Sequence, residues 1–230
     1  FSKLFLGAHM LVPLVAVTSC SMYHEGDFLG VGCPVYHSGD WDGWLLRNNI
    51  SRSRIESFPL RSGFCMGDMI LTIAPGAGET VLPVFSDTLL GDVVIYERDR
   101  APHKTGDVGP IIHRVVGIVS VKDWRVVDVT GTLSCLSVED FEDRYIGYVK
   151  DCVDGRVCYY SSFPETGDFR FYITKGDNNP SVDQCSVTNS YSGDIALPVT
   201  DAQLTARGWM RIPFVGWAKL LLSGIIDFIF

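Results

Sequence analysis

Three separated stretches carry side chains that could do chemistry together. Ser21 closes Val17-Thr-Ser-Cys-Ser21, where an apolar run gives way to small hydroxyl residues. His113 sits in Gly109-Pro-Ile-Ile-His-Arg-Val-Val-Gly-Ile118, and Asp177 and Asp183 flank Asp177-Asn-Asn-Pro-Ser-Val-Asp183. An unaided serine hydroxyl is a poor nucleophile at neutral pH, so it needs a base, and the base needs an orienting group. An imidazole, which titrates near neutrality, can take the serine proton, and a carboxylate on its other nitrogen fixes the tautomer. Competing assignments are weaker. Lys104 and Lys122 stand in polar, turn-like surroundings that keep an amine hydrated and protonated, unlike a desolvated lysine base. His24, three residues after Ser21, is a rival imidazole. A calcium loop starting at Asp177 would need Gly and Glu where Val182 and Thr188 stand. His37 and Asp40, in His-Ser-Gly-Asp, read as loop residues rather than metal ligands.

The elements that must position these groups read as strands. Met69–Ile73 follows Gly67-Asp68, Val93–Tyr96 follows Gly91-Asp92, and the β-branched run Ile111–Val119 carries His113 on the face opposite Ile112 and Arg114. Trp124–Val129 and Arg170–Thr174 add two more, and Asp154-Gly155 predicts a hairpin within a polar stretch from Leu136 to Gly167. The fold expected is mainly β, a strongly bent antiparallel sheet or partly open barrel. Residues 25–61, rich in Gly and Trp, read as an insertion, with a short amphipathic helix over Leu45–Phe58 stopped by Pro59.

Both ends are apolar. Residues 1–18 read as a membrane anchor, slightly short of the roughly 20 residues a spanning helix needs, and the missing initiator Met suggests that its upstream part is absent. A cleaved secretory signal is the alternative. Residues 19–212 form the β domain, and 213–230 an apolar segment that reads equally as a truncated second anchor or an interfacial helix. A net charge of −8 and the lack of any basic run exclude a nucleic-acid binder. Seven cysteines without a C-x-x-C pair exclude a zinc ribbon, and the odd count leaves at least one thiol. Cys135, Cys152, Cys158 and Cys185 could form disulfides outside the cytoplasm, with connectivity open.

Ser19-Cys-Ser21-Met22, Gly67-Asp68-Met-Ile, Gly91-Asp92-Val-Val-Ile-Tyr, Pro110-Ile-Ile-His113-Arg, Lys175-Gly-Asp177-Asn-Asn with Asp183, and Arg211-Ile-Pro-Phe-Val-Gly216 stand in the order seen in type I signal peptidases. The chain resembles the archaeal and endoplasmic-reticulum branch of that family, where histidine replaces the lysine base. The resemblance covers all but 25–61 and implies Ser21 as nucleophile, His113 as general base, Asp183 as its acid partner and Asp177 as a supporting carboxylate. By analogy with the bacterial branch, Ser19 would assist the Ser21 N–H in binding the oxyanion. The implied activity is a membrane-bound serine endopeptidase on the extracytoplasmic face, without a cofactor, acting on signal-peptide-bearing preproteins at the lipid bilayer and preferring small residues before the scissile bond. Oligomeric state is left open. His24 stands where the family pattern has proline. The alternative is a catalytically inactive, membrane-tethered β module that binds envelope proteins through Trp41–Trp44. A related Ser-Lys self-cleaving regulator is disfavoured by the apolar ends and the lack of a DNA-binding segment.

Overall fold

A computed structural model describes residues 13–24, 33, 40–75, 87–98, 110–156, 158–160, 162–185 and 196–217. In chain order the elements are β1 (Leu14–Ala16), α1 (Trp41–Arg47), α2 (Arg52–Glu56), β2 (Met69–Ile73), β3 (Val93–Tyr96), β4 (Ile111–Lys122) and β5 (Arg125–Gly131). Then follow α3 (Val138–Asp140), a π-helical turn (Phe141–Tyr145), α4 (Ile146–Val153), β6 (Phe169–Lys175), β7 (Val199–Thr200) and β8 (Leu204–Ile212), which a 3₁₀ turn at Asp201–Gln203 precedes.

β4 organises the sheet. Its β-branched residues suit a pleated, buried surface, and residues His113 to Val119 are all buried. The described strands form one antiparallel sheet in the order β1-β2-β8-β3-β4-β6-β7, with β5 added to the far half of β4. Register shifts interrupt the β2–β8, β3–β8, β4–β5 and β4–β6 ladders. Such bulges bend the strand and increase its twist, and the sheet curls strongly into half a barrel. This agrees with the bent sheet read from the sequence.

The main core lies against this curl. Phe141 and Tyr145 from the π-helical turn meet Phe169 and Phe171 of β6, with Phe141 and Phe171 ring centres 5.2 Å apart. A smaller cluster of Val17, Met22, Phe64, Ile70 and Val93 underlies the stretch around Ser21. Two Gly-Asp turns open β2 and β3 in the same way. The Asp68 carboxylate accepts from the Cys65 N–H and that of Asp92 from the Leu89 N–H, each at 2.8 Å. Each is also ion-paired to an arginine of β8, Asp68 with Arg211 at 2.7 Å and Asp92 with Arg207 at 2.9 Å.

Several expectations are corrected. Leu14–Ala16, assigned to the anchor at 1–18, is a strand paired with β2. Proline is tolerated at the start of an edge strand, and the Pro13 carbonyl accepts from the Thr72 N–H at 2.8 Å. Residues 1–12 lie outside the described residues, among which no helix is long and apolar enough to cross a membrane. The helix expected over Leu45–Phe58 is two helices, α1 capped by Asp40 and α2 by Ser51. Asn49, at φ 63°, breaks the run between them. This part of the 25–61 insertion is integral to the fold, because Leu45, Ile50, Ile55 and Phe58 enter the main core.

Asp154-Gly155 makes no hairpin. Gly155, at φ 75°, takes the left-handed conformation that ends α4, and its N–H bonds the Cys152 carbonyl at 3.1 Å. Trp124 is not strand but turn. With Asp123 it forms a two-residue connection, at φ 62° and 49°, of the primed kind that matches strand twist. At the other end, Pro213 and Phe214 turn the chain after β8 into helical backbone at 215–217. Residues 218–230, most of the C-terminal apolar segment, lie outside the described residues.

Candidate active site

Ser21 lies in a turn that follows β1. The turn closes through the Tyr23 N–H on the Cys20 carbonyl at 3.1 Å, and the buried Met22 side chain pins it to the smaller core. A second turn, 176–179, clamps it from the other side. The Asn178 N–H donates to the Ser21 carbonyl at 2.7 Å, and Asn178 Nδ2 donates to the Cys20 carbonyl at 3.1 Å. Glycine is required at 176 because a Cβ there would stand 2.8 Å from the Ser21 carbonyl oxygen. The Phe64 N–H on the Met22 carbonyl, at 3.0 Å, completes the clamp.

β4 delivers His113 to this turn. His113 Nε2 lies 3.0 Å from Ser21 Oγ and Nδ1 lies 2.6 Å from Asp183 Oδ2. A carboxylate accepts from Nδ1, so the hydrogen-bond network assigns the proton to Nδ1 and leaves the Nε2 lone pair for the serine hydroxyl. Asp183 is fully buried, and its Oδ2 also accepts from Thr174 Oγ1 at 2.7 Å and from the Tyr96 hydroxyl at 3.0 Å. Gln184 holds Thr174 in turn, donating through Nε2 to its Oγ1 at 3.1 Å and accepting from its N–H at 3.0 Å. A carboxylate with three donors on one oxygen has its orientation fixed from β3, β4 and β6 together.

Asp177 has separate partners. It accepts from Arg114 Nε at 2.9 Å and Nη2 at 2.7 Å, and its Oδ2 is 2.9 Å from His24 Nε2. Burial pushes its carboxyl pKa up, but the Arg114 guanidinium and His24 outweigh that and hold it well below the usual carboxylate range. Arg114 is itself fully buried and spends its remaining donors on the carbonyls of Pro59, Gly91 and Leu60 at 2.7, 2.8 and 3.1 Å. Its guanidinium stacks near Trp41, 5.2 Å from the ring centre. Only arginine's five-donor fork fits this set of acceptors. His24 packs on Trp41 with ring centres 4.6 Å apart, and with Arg61 and Ser62 they line an open cavity of about 390 Å³.

Lys175 completes the support. Its ammonium is buried, donates to the carbonyls of Gly176 at 2.9 Å and Asp177 at 3.2 Å, and sits 4.9 Å from the centre of the Trp44 ring. Burial lowers its pKa to about 8, against the opposing pull of Asp177 and Asp183.

The structure therefore brings Ser21, His113 and Asp183 into one hydrogen-bonded line, and puts Ser19 Oγ 3.2 Å from Ser21 Oγ. The Asp177 carboxylate bonds Arg114 and His24 instead, and is joined to the serine turn through its own turn and through His24. Lys122 is exposed at the other end of β4, and Lys104 and His37 lie outside the described residues. Asp40 caps α1 and pairs with Arg47 at 2.8 Å. Sequence reasoning missed Arg114, Lys175, Tyr96 and Thr174. The first two carried a signal, since a charge within a β-branched run must find a buried partner.

Among the described residues, three cysteines could hold a metal: Cys20, Cys33 and Cys65, whose sulfurs lie within 4.8 Å of one another. The other four cysteines form two disulfides, Cys135–Cys185 and Cys152–Cys158. In comparisons with protein-family models, curated proteins and solved structures, no match to the chain was found.

Proposed function

We propose that this chain is a serine endopeptidase that removes signal peptides from exported preproteins, with Ser21 as nucleophile and His113 as base. The observation that carries the reading is the line Ser21 Oγ–His113 Nε2 at 3.0 Å and His113 Nδ1–Asp183 Oδ2 at 2.6 Å. In the reaction, His113 Nε2 takes the hydroxyl proton as Ser21 Oγ attacks the scissile carbonyl, and Asp183 stabilises the imidazolium that forms. His113 then gives the proton to the leaving amine. Water, deprotonated by the same nitrogen, hydrolyses the acyl-enzyme and regenerates Ser21. The Ser19 hydroxyl and the Ser21 N–H are the groups we assign to the oxyanion, a kind of interaction whose loss costs about 10²–10³ in rate.

The substrate class rests on the order of motifs shared with type I signal peptidases, and on an apolar surface at the end of β8. Trp209, Met210, Phe214, Val215 and Trp217 are all exposed there, Trp209 to 48%. Large exposed apolar patches mark interaction or membrane sites, and this one would seat the β domain on the bilayer where a preprotein's cleavage region emerges.

The test is preprotein processing by the full chain reconstituted in lipid vesicles. Wild type is expected to release the signal peptide, and Ser21→Ala and His113→Ala to release none above background. Full processing by either variant would overturn the assignment. Stoichiometric binding of an envelope protein without cleavage by wild type would favour the inactive β module instead.

A further inference from the structure

Seven cysteines cannot all pair, and the surplus falls beside Ser21. Cys135–Cys185 and Cys152–Cys158 are bridged with Cα separations of 5.9 and 5.0 Å. Cys33 stands 5.4 Å by Cα from Cys20 and 6.4 Å from Cys65. Both separations lie inside the span a disulfide bridges, yet a sulfur closes only one disulfide at a time. One of the three is therefore left as a thiol within reach of a disulfide that it can attack. The three also differ in access, because Cys65 and Cys33 are buried at 1% and 9% exposure and Cys20 is partly exposed.

We propose that Cys33 exchanges its disulfide partner between Cys65 and Cys20, which makes Cys20 a thiol modification site one residue before the nucleophile. The Cys65 thiolate attacks the Cys33 sulfur of the Cys20–Cys33 bond. The Cys33–Cys65 bond forms, and Cys20 leaves as the thiolate, which takes up the proton that Cys65 lost. The number of disulfides is unchanged, so no oxidant or reductant is consumed. In one isomer the spare thiol is the buried Cys65. In the other it is Cys20, open to a low-molecular-weight disulfide, which leaves a mixed disulfide on Cys20 and releases one thiol.

An adduct there sits on the turn that Asn178 holds through the Cys20 and Ser21 carbonyls, at 3.1 and 2.7 Å. Displacing that turn moves Ser21 Oγ from His113. Exchange is favoured over a metal centre because both Cα separations suit disulfides, the remaining cysteines are already oxidised, and no fourth histidine, cysteine or carboxylate joins the three sulfurs among the described residues. The effect on cleavage rests on Ser21 being the nucleophile; the exchange itself does not.

The experiment quenches the full chain with a maleimide in acidic denaturant without reductant, so that exchange stops and the buried thiol is labelled too, then maps linked and labelled peptides by mass spectrometry. Wild type is expected to give both the Cys20–Cys33 pair with Cys65 labelled and the Cys33–Cys65 pair with Cys20 labelled. Cys65→Ser should give the first pair alone, with Cys20 protected, and Cys20→Ser the second alone. Labelling Cys20 in the folded protein should lower preprotein cleavage by wild type by about 10²-fold, while folded Cys65→Ser resists the reagent. A single invariant pair in wild type would overturn the proposal, as would three labelled cysteines accompanied by one equivalent of zinc or copper. If no variant cleaves preprotein but both pairs are found, the exchange stands and the endopeptidase reading fails.

Discussion

At the scale of single residues, the site turns on which groups hold His113 in one tautomer. Asp183 Oδ2 accepts a hydrogen bond from Nδ1–H while Thr174 and Tyr96 donate to the same oxygen. Asp183→Asn would present an amide N–H to Nδ1 and reverse the tautomer, and cleavage should fall by about 10⁴-fold with the fold intact. Steady-state kinetics alongside a thermal melt check this; a loss under tenfold would remove Asp183 from the assigned role. Arg114→Lys tests the neighbouring network. A lysine cannot satisfy Asp177 and three carbonyls at once, so the buried Asp177 charge is left short of donors, at a cost of about 3–5 kcal/mol read by urea denaturation. Ser21, His113 and Asp183 were legible in the sequence because each lies in a short ordered motif. For Arg114 the sequence signals only a charge that needs a buried partner; its acceptors, the carbonyls of Pro59, Leu60 and Gly91, are brought near by the fold alone.

Turns carry the argument at the scale of elements. The 176–179 turn grips the Ser21 carbonyl, and Lys175 in turn grips the carbonyls of Gly176 and Asp177. Gly176→Ala would press a methyl against the Ser21 carbonyl 2.8 Å away, and should lower kcat much more than it raises KM. Lys175 adds a pH signature. Its folded pKa of about 8 lies below the ordinary 10.5, so between those values the unfolded chain binds the extra proton and this group makes stability rise with pH. Lys175→Met should remove that rise, seen as a stability difference from wild type that changes between pH 8 and 10.5 and is constant below pH 7. An unchanged profile would mean the ammonium is not buried as described.

Strands were the readable elements, and helices were readable only in part. The runs at Met69–Ile73 and Val93–Tyr96 coincide with β2 and β3 because buried β-branched strands announce themselves. The helical stretch from Val138 to Val153 was hidden behind its Asp154-Gly155 ending, a signal shared by hairpins and helix C-termini. The apolar spacing Phe141, Tyr145, Val149, Cys152 was the evidence that should have decided it, since all four are buried on one face.

For the whole molecule, a curled sheet gathers the site at one end of β4 and an apolar surface at the end of β8. Asp177 and Asp183 come from the chain after β6, Ser21 from that after β1, and both converge on β4 because β6 pairs with it directly. The curl could be anticipated from short strands and turns, but its bulges could not, because register is set by cross-strand packing. Trp209→Ser, Phe214→Ser and Val215→Ser together should weaken vesicle binding by roughly 10²-fold or more, at ~1 kcal/mol or more per half-exposed side chain, and leave cleavage of a short soluble peptide unchanged. Flotation assays with the triple variant read the first and peptide kinetics the second; unaltered flotation would dissociate this surface from the bilayer.

The central claim is that Ser21 becomes acylated with His113 as its base. The most direct measurement is the mass of the full chain after reaction with an activated-ester probe, followed by peptide mapping. One acyl group on the peptide containing Ser21 is expected in wild type, with none in Ser21→Ala and strongly slowed acylation in His113→Ala. Acylation elsewhere, or at Ser21 at the same rate without His113, would contradict the account.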